Sequence, residues 1–433
     1  MPRVIVIGAG ISGLAAAWRL RKGGIEAVVL ERSERPGGRI HTVHVNDCVM
    51  EAGANFVTDA YTVIPRLAEE LGVRLRPVVN RSAIAIGGAL HPFHASRPWT
   101  AVAAGVLPML AAVGSAPGLS RYAALAHGRG TVDPLDWKDL DQVRSRDWSV
   151  RLGLRTLAER SWRPAINGFY FQESLDSSAA FVAAMAAHGL RQHTLTVEGG
   201  MSGLIGALAD RVEVRTGVDV RGVRERSGVV EVATTDGGYE AEAVVVAVPA
   251  AALPGLLRLK DGIEELAATA YSAGLLVGMA VDRPLRHDEL AGAYGVLMHP
   301  DEAPLAALCV ASRAGHAVPG LDLVTCLFTD ADSRRLSALS DADIIAAARR
   351  SLLAWAPSLG GALREGEHRV FRIPAAMPMT APGRLATIEA YRSRMPGRRV
   401  VLAGDSLAWP WSDSAAFAGE WAADRVLELV APA

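Results

Sequence analysis

Runs of solid aliphatic residues and runs with helical spacing follow one another along this chain, and the change from one to the other predicts its elements. Val4-Ile5-Val6-Ile7 is an aliphatic run of strand length that stops at Gly8. Residues 14–21 are Ala-rich and predict a helix, and Ala27-Val28-Val29-Leu30 predicts a second buried strand. Residues 65–72 place Leu67, Ala68 and Leu71 on one helical face, and 73–79 read as an extended strand. Residues 83–90 predict a hairpin turning on Gly87-Gly88. The stretch 99–119 is strongly apolar, with only Gly105 and Pro108 breaking 101–113, and reads as a core helix too short and interrupted to span a bilayer. Residues 135–148 form a charged helix-loop segment, and 179–189 an Ala-rich helix. Runs at 212–220, 228–235 and 239–248 are β-rich and joined by glycine turns, with further strands at 275–281, 323–328 and 399–405. Residues 341–355 predict an amphipathic helix capped by Asp341, and 413–430 a final helix.

Composition narrows the picture. A chain of 433 residues exceeds one ordinary core, so two domains, possibly interleaved, are expected. Half the residues are hydrophobic and the net charge is -1, which gives no reason to expect nucleic acid as a partner. Cys48, Cys309 and Cys326 are too scattered for a disulfide framework or metal knuckle, which favours a reducing, cytoplasmic setting. Met1-Pro2-Arg3 runs straight into the first strand, so no signal peptide is expected.

The candidate chemistry begins where the first strand ends. Gly8, Gly10 and Gly13 fill a G-x-G-x-x-G pattern between strand and helix: Gly8 for the turn, Gly10 for close approach to a pyrophosphate, Gly13 for helix–strand packing. Glu31 closes the second strand, where an acid can hold a ribose hydroxyl and would repel the 2′-phosphate of NADP. Beyond Arg32, Gly37-Gly38-Arg39 suits a loop passing close to a ligand, and Gly53-Ala54-Asn55 puts small residues where backbone could meet a flat ring. The charged pair Glu34-Arg35 reads as solvated surface. His91 and His94 have metal-like spacing, but Pro92 and the lack of nearby acids place them in a loop without metal. No Gly-x-Ser-x-Gly elbow or cysteine beside a base supports nucleophilic catalysis.

With its glycine loop, distal Glu31 and Gly37-Gly38-Arg39 element, the chain resembles the flavoprotein superfamily of flavin monoamine oxidases, protoporphyrinogen oxidases and phytoene-type desaturases. The resemblance runs from 4 to 430, strongest at both ends and weak between about 80 and 195. It implies an α/β fold in which a Rossmann-like, GR2-type FAD-binding domain (1–80, 196–260, 385–433) is interleaved with an α+β substrate domain (81–195, 261–384). It implies FAD held by Gly8, Gly10, Ile11, Ser12 and Gly13, by Glu31 and Arg32, and by Gly38, Arg39, Gly53, Ala54 and Asn55. Backbone near Val220 would receive the adenine, Gly404 and Asp405 the ribitol, and Ser414 and Ala415 stand at a helix end facing the flavin. Helices in the place of 99–119 cover the substrate cavity in such proteins and sometimes touch a membrane surface, which makes a weak peripheral membrane contact the alternative to the core helix.

The function so implied is hydride removal from a C–N or C–C bond of a small apolar or amphipathic metabolite, with O2 or another acceptor downstream. Secondary, isoprenoid or tetrapyrrole metabolism fits such a substrate. The alternatives are a desaturase-like enzyme confined to C–C bonds and a flavoprotein that does not turn over. The flavin is expected to be non-covalent, because 373–379 lack the tethering cysteine of monoamine oxidases. Classical amine oxidases carry a lysine on a strand that corresponds to Leu275-Leu276-Val277-Gly278, and Lys260 falls too early to replace it. Trp411 stands where amine oxidases place one aromatic of a substrate cage, while the partner position reads Pro374-Ala375-Ala376. The alternative is that Trp409 and Trp411 bracket Pro410 as packing.

Overall fold

In a computed structural model, which describes residues 3–94, 97, 99–172, 175–189, 192–226, 228–260 and 263–430, the leading aliphatic runs become neighbours in one parallel sheet. Val4–Ile7 pairs in register with Ala27–Leu30 on one side and Ala243–Val246 on the other. Glu213–Arg215 and Val400–Leu402 complete five strands, all parallel. Helices cover the sheet, so its central strands are buried throughout and carry no polar alternation. Helix Ile11–Lys22 lies against the last helix, Ser412–Val430. Their crossing needs Gly419, since a Cβ there would stand 2.0 Å from the Ser12 carbonyl oxygen. Three stretches far apart in sequence thus share one core.

A seven-stranded sheet stands beside it in the order Leu363–Pro378, Tyr271–Val281, Asp322–Phe328, Leu305–Val310, Gly295–Met298, Ser82–Ile86, Ala89–Phe93. Its pairings are antiparallel except Gly295–Met298 against Ser82–Ile86. Tyr271–Val281 is buried along its whole length, which its eleven apolar or small residues permit. The hairpin turn at Gly87-Gly88 is as expected, both residues having positive φ.

Several expectations change. The extended 73–79 shrinks to Leu75–Pro77. The run 212–220 divides at Gly217 (φ 72): Glu213–Arg215 edges the parallel sheet and Val220–Arg226 opens a separate antiparallel one. Helix Asp341–Trp355 is capped by Ser340, whose Oγ accepts the Asp343 N–H at 3.2 Å, while Asp341 sits in the first turn. His91 belongs to an edge strand rather than a loop, where Pro92 costs no ladder bond, and its Nδ1 lies 2.7 Å from the Ala104 carbonyl.

The largest departure is the apolar segment. It forms helices Trp99–Ala103 and Met109–Ala126, and they are not core. Leu110 is 88% exposed and Trp99 66%, with Met109 and Val113 alike. The inward positions of the longer helix are Ser115, Gly118 and Tyr122, so the small and polar residues pack and the apolar ones face out. Among the described residues no helix is long and apolar enough to cross a membrane.

Candidate functional site

One cavity of about 840 Å³, its open mouth included, lies where the carboxyl ends of the parallel strands meet the seven-stranded sheet. Ile11 and Ser12, within the glycine loop's stretch, line one side of it. Gly8 (φ 100) turns so tightly that a Cβ would stand 2.6 Å from the Ala247 oxygen, and one on Gly13 would stand 1.9 Å from the Gly8 oxygen. A Cβ on Gly10 would meet open space. Helix Ile11–Lys22 begins here with no side-chain cap and no acid in its first turn. The Ser12 hydroxyl is buried, borders the cavity and has no partner. An uncapped helix end, an orphan hydroxyl and clear space at Gly10 fit the pyrophosphate of a dinucleotide.

The neighbouring loops are fixed from beneath. Glu31 is buried and accepts the N–H groups of Ala9 (2.8 Å) and Ser33 (2.9 Å), tying the glycine loop to the end of the second strand. Arg32 is exposed and does not line the cavity. Arg35 corrects the surface reading: it is half-buried and donates to the carbonyls of Pro36, Gly38 and Ile40, shaping the Gly37-Gly38-Arg39 turn. Gly53 and Ala54 line the wall, with Gly53 so close to Arg39 that a Cβ would lie 1.9 Å from its oxygen. Asn55 is outside the lining and donates to the Gly53 carbonyl at 2.9 Å. Val220 is buried at the start of its strand, also outside the lining.

Asp405 follows Gly404 (φ 100) and is gripped on both oxygens. Arg39 Nη1 donates to Oδ2 at 2.6 Å and the Tyr271 hydroxyl donates to Oδ1 at 2.9 Å. The guanidinium of Arg39 lies 5.8 Å from the Tyr271 ring centroid, and the Tyr271 oxygen also accepts the Ala250 N–H at 3.2 Å. Burial pushes the Tyr271 phenol above its ordinary range, so it acts as a neutral donor. Arg39 and Asp405 are the charged side chains of the lining, and they neutralise each other.

The last helix points its N-terminus into the cavity through Ser412 and Ala415. Its one first-turn acid, Asp413, is turned away to accept the N–H groups of Thr62, Val63 and Ile64 at the start of helix Val63–Leu71. The positive helix end therefore keeps its field toward the cavity. Ser412, which the sequence did not mark, occupies the place expected for Ser414; the Ser414 hydroxyl points inward to Val132 O (2.6 Å) and Trp409 N (2.9 Å).

Trp411 lines the cavity and is packed as well. Its ring stacks on Trp409 (5.5 Å), His188 (5.7 Å) and Phe181 (6.4 Å), with Tyr170 tilted at 6.1 Å. His188 bonds Thr58 Oγ1 at 2.8 Å, and burial lowers its pKa to about 4, so the stack is uncharged. Opposite stand Leu276, Ile373, Ala376, Met377 and Phe171. Phe171 was not anticipated. It has φ 54, an uncommon conformation for a bulky residue, at the end of helix Arg163–Tyr170.

The sequence matches the family described as flavin containing amine oxidoreductase over residues 11–427. It is 29% identical over 427 residues to the coproporphyrinogen III oxidase of Mycobacterium bovis, covering 90% of each chain. Among solved structures, cyclohexylamine oxidase from Brevibacterium oxydans IH-35A superposes with a TM-score of 0.75 at 19% identity over 99% of each chain. A fatty acid isomerase from P. acnes gives 0.73 at 18%, again over 99% of each. At these identities the two structures speak for the fold alone.

Glu51 generates a pH prediction. Its buried carboxyl, next to the cavity wall, accepts the Met201 N–H and the Thr42 hydroxyl, both at 2.8 Å. Burial raises its pKa from 4.5 to about 7, so the folded protein holds a proton that the unfolded chain releases earlier. That contribution is complete below pH 4.5 and is lost as pH rises through about 7. Thermal midpoints at pH 5.5 and 8 should differ by less in Glu51→Gln than in the wild type; equal differences would refute the assignment.

Proposed function

The chain belongs to the flavin-containing amine oxidoreductases, FAD-dependent oxidoreductases, and from that membership we propose that it oxidises a C–C bond of a largely apolar, ring-containing small molecule. One observation carries the reading. The apolar lining includes Phe171, Leu276, Ile373, Ala376, Met377 and Trp411, and the single carboxylate of the lining, Asp405, is already paired with Arg39 and not free to receive an ammonium. The Leu276 strand also lacks the lysine of classical amine oxidases. The mycobacterial relative's name makes porphyrinogens the first compounds to try.

When bound, FAD supplies the hydride-accepting ring. Ser12 and the backbone of 8–13 would hold its pyrophosphate, Glu31 and the loop at Arg39 would flank it, and Asp405 would accept one of its hydroxyls. Trp411 and Phe171 orient the substrate between two aromatic faces. Leu276, Ile373 and Met377 exclude water, which strengthens the electrostatic effect of the helix end at Ser412. Burial of a planar apolar substrate supplies the binding energy, at roughly 25 cal/mol per Å².

The flavin is non-covalent in this reading, since none of the three cysteines lines the cavity. Acid precipitation should leave all yellow colour in the supernatant; colour in the pellet contradicts it. Anaerobic mixing with a porphyrinogen should bleach the bound flavin, whereas benzylamine and putrescine should not. Trp411→Ala should keep FAD and thermal midpoint while slowing that bleaching at least tenfold, about 1.4 kcal/mol of transition-state stabilisation. Loss of FAD or fold in this variant assigns Trp411 to packing, and fast bleaching by either amine overturns the C–C reading.

The exposed helices supply the second part of the proposal, a peripheral membrane contact on the cytoplasmic side. Residues 71–132 contain no Asp or Glu and six arginines, and this stretch carries Trp99, Met109, Leu110 and Val113 on its surface. Exposed apolar side chains on a stretch free of acidic residues suit an anionic lipid surface. Sedimentation with anionic vesicles, but not neutral ones, should carry the protein down, and Leu110→Asp should abolish it. Equal recovery in the supernatant with both vesicle types refutes the contact.

A further inference from the structure

The turn 405–408 presents four successive backbone carbonyls away from the cavity, and two arginines of helix Arg384–Ser393 take all four. Arg384 Nη2 lies 2.7 Å from the Asp405 oxygen, 3.2 Å from that of Ser406 and 2.8 Å from that of Ala408. Arg392 Nη2 lies 3.0 Å from the Leu407 oxygen. Eight residues separate the two arginines, about 12 Å along the helix axis, so both ends of that helix reach one short turn.

The two arginines are held differently. Arg392 is anchored independently through Nη1, which lies 2.8 and 3.0 Å from the two carboxylate oxygens of Asp133, and its guanidinium lies over Trp421 at 5.1 Å. Arg384 has no carboxylate within ion-pair reach among the described residues, and its Nε and Nη1 are buried without partners. Every hydrogen bond of the Arg384 side chain goes to the turn, with the carboxylates of Asp405 and Asp141 acting on it from beyond ion-pair reach. A buried guanidinium whose hydrogen bonds are all to peptide oxygens is costly to retain for stability alone, since an apolar residue of similar size would avoid its desolvation. What it secures here is the turn's position.

That position matters because the other side of the same turn faces the cofactor cavity. Asp405 offers its carboxylate there between Arg39 and Tyr271, and Pro410, Trp411 and Ser412 continue the wall. The Trp411 N–H in turn bonds the Trp409 oxygen at 2.8 Å, so displacement of the 405–408 carbonyls passes directly along the chain. We propose that Arg384 is a positioning residue for the flavin: by holding the carbonyls of Asp405, Ser406 and Ala408 it fixes the Asp405 carboxylate and the Trp411 segment at the distance bound FAD requires. The inference rests on the reading of this cavity as the FAD site.

The test is FAD affinity measured by flavin fluorescence on the full chain, stripped of cofactor and reconstituted. Arg384→Ala should weaken FAD at least tenfold while the far-ultraviolet circular dichroism of the stripped protein is unchanged. Guanidinium ion, well below denaturing concentrations, should restore part of that affinity, which no general loss of stability would allow. Arg384→Lys keeps the charge and loses the planar fork, so it should fold, bind FAD several-fold more weakly and blur the vibronic bands of the flavin spectrum. Wild-type affinity in Arg384→Lys, or weakened binding in Arg384→Ala that guanidinium does not restore, overturns the assignment. If Arg384→Ala fails to fold, the lysine variant alone decides. Failure of the wild-type chain itself to take up FAD would instead remove the cavity reading on which the inference stands.

Discussion

The close crossing of the first and last helices is the constraint on which the molecule depends. Gly419 lies against the Ser12 carbonyl with no room for a methyl group, and Ser12 belongs to the first turn of the helix that borders the cavity. If that crossing widened, the glycine loop and the Asp405 turn would separate, because they are carried by the same two helices and the strands beneath them. Packing at this spot therefore sets the width of the cavity as well as the stability of the parallel sheet. The same helix pair explains why Asp413 can leave its own N-terminus uncompensated: it is spent on the start of helix Val63–Leu71, which locks a third segment into the arrangement.

What was legible in the sequence was whatever depends on local backbone geometry. Gly8 is required by its positive φ and Gly13 by the Gly8 oxygen 1.9 Å from where a Cβ would stand, both within one turn, and such requirements leave a pattern in a dozen residues. The aliphatic strands are buried on both faces and so declare themselves without alternation. Asp405 was marked through the family resemblance, and the structure places it in the cavity lining directly after a glycine of positive φ.

What was not legible depends on which surface a residue meets. The apolar run 99–119 looks like core because hydrophobicity carries no direction; only Ser115, Gly118 and Tyr122 facing inward reveal the inversion. Arg35 looked like surface because its partners are carbonyls, which leave no complementary acid in the sequence. The aromatic stack around Trp411 joins residues 170, 181, 188 and 409, and Phe171 reaches the cavity through an unusual φ that no periodicity encodes. The exchange of Ser414 for Ser412 is a rotation of two residues about a helix end, finer than motif matching resolves.

The scattering of the cavity wall along the chain has a consequence for biosynthesis. Lining residues Ile11 and Ser12 are synthesised about 390 residues before Gly404 to Ala415. Until that later segment emerges, the parallel sheet lacks its edge strand Val400–Leu402 and the first helix lacks the partner it meets at Gly419. The two sides of the cavity therefore come together only after the 404–415 segment has joined the sheet. Contacts spanning about 400 residues make that closing step slow, because the entropy of closing so long a loop is lost before the contacts form.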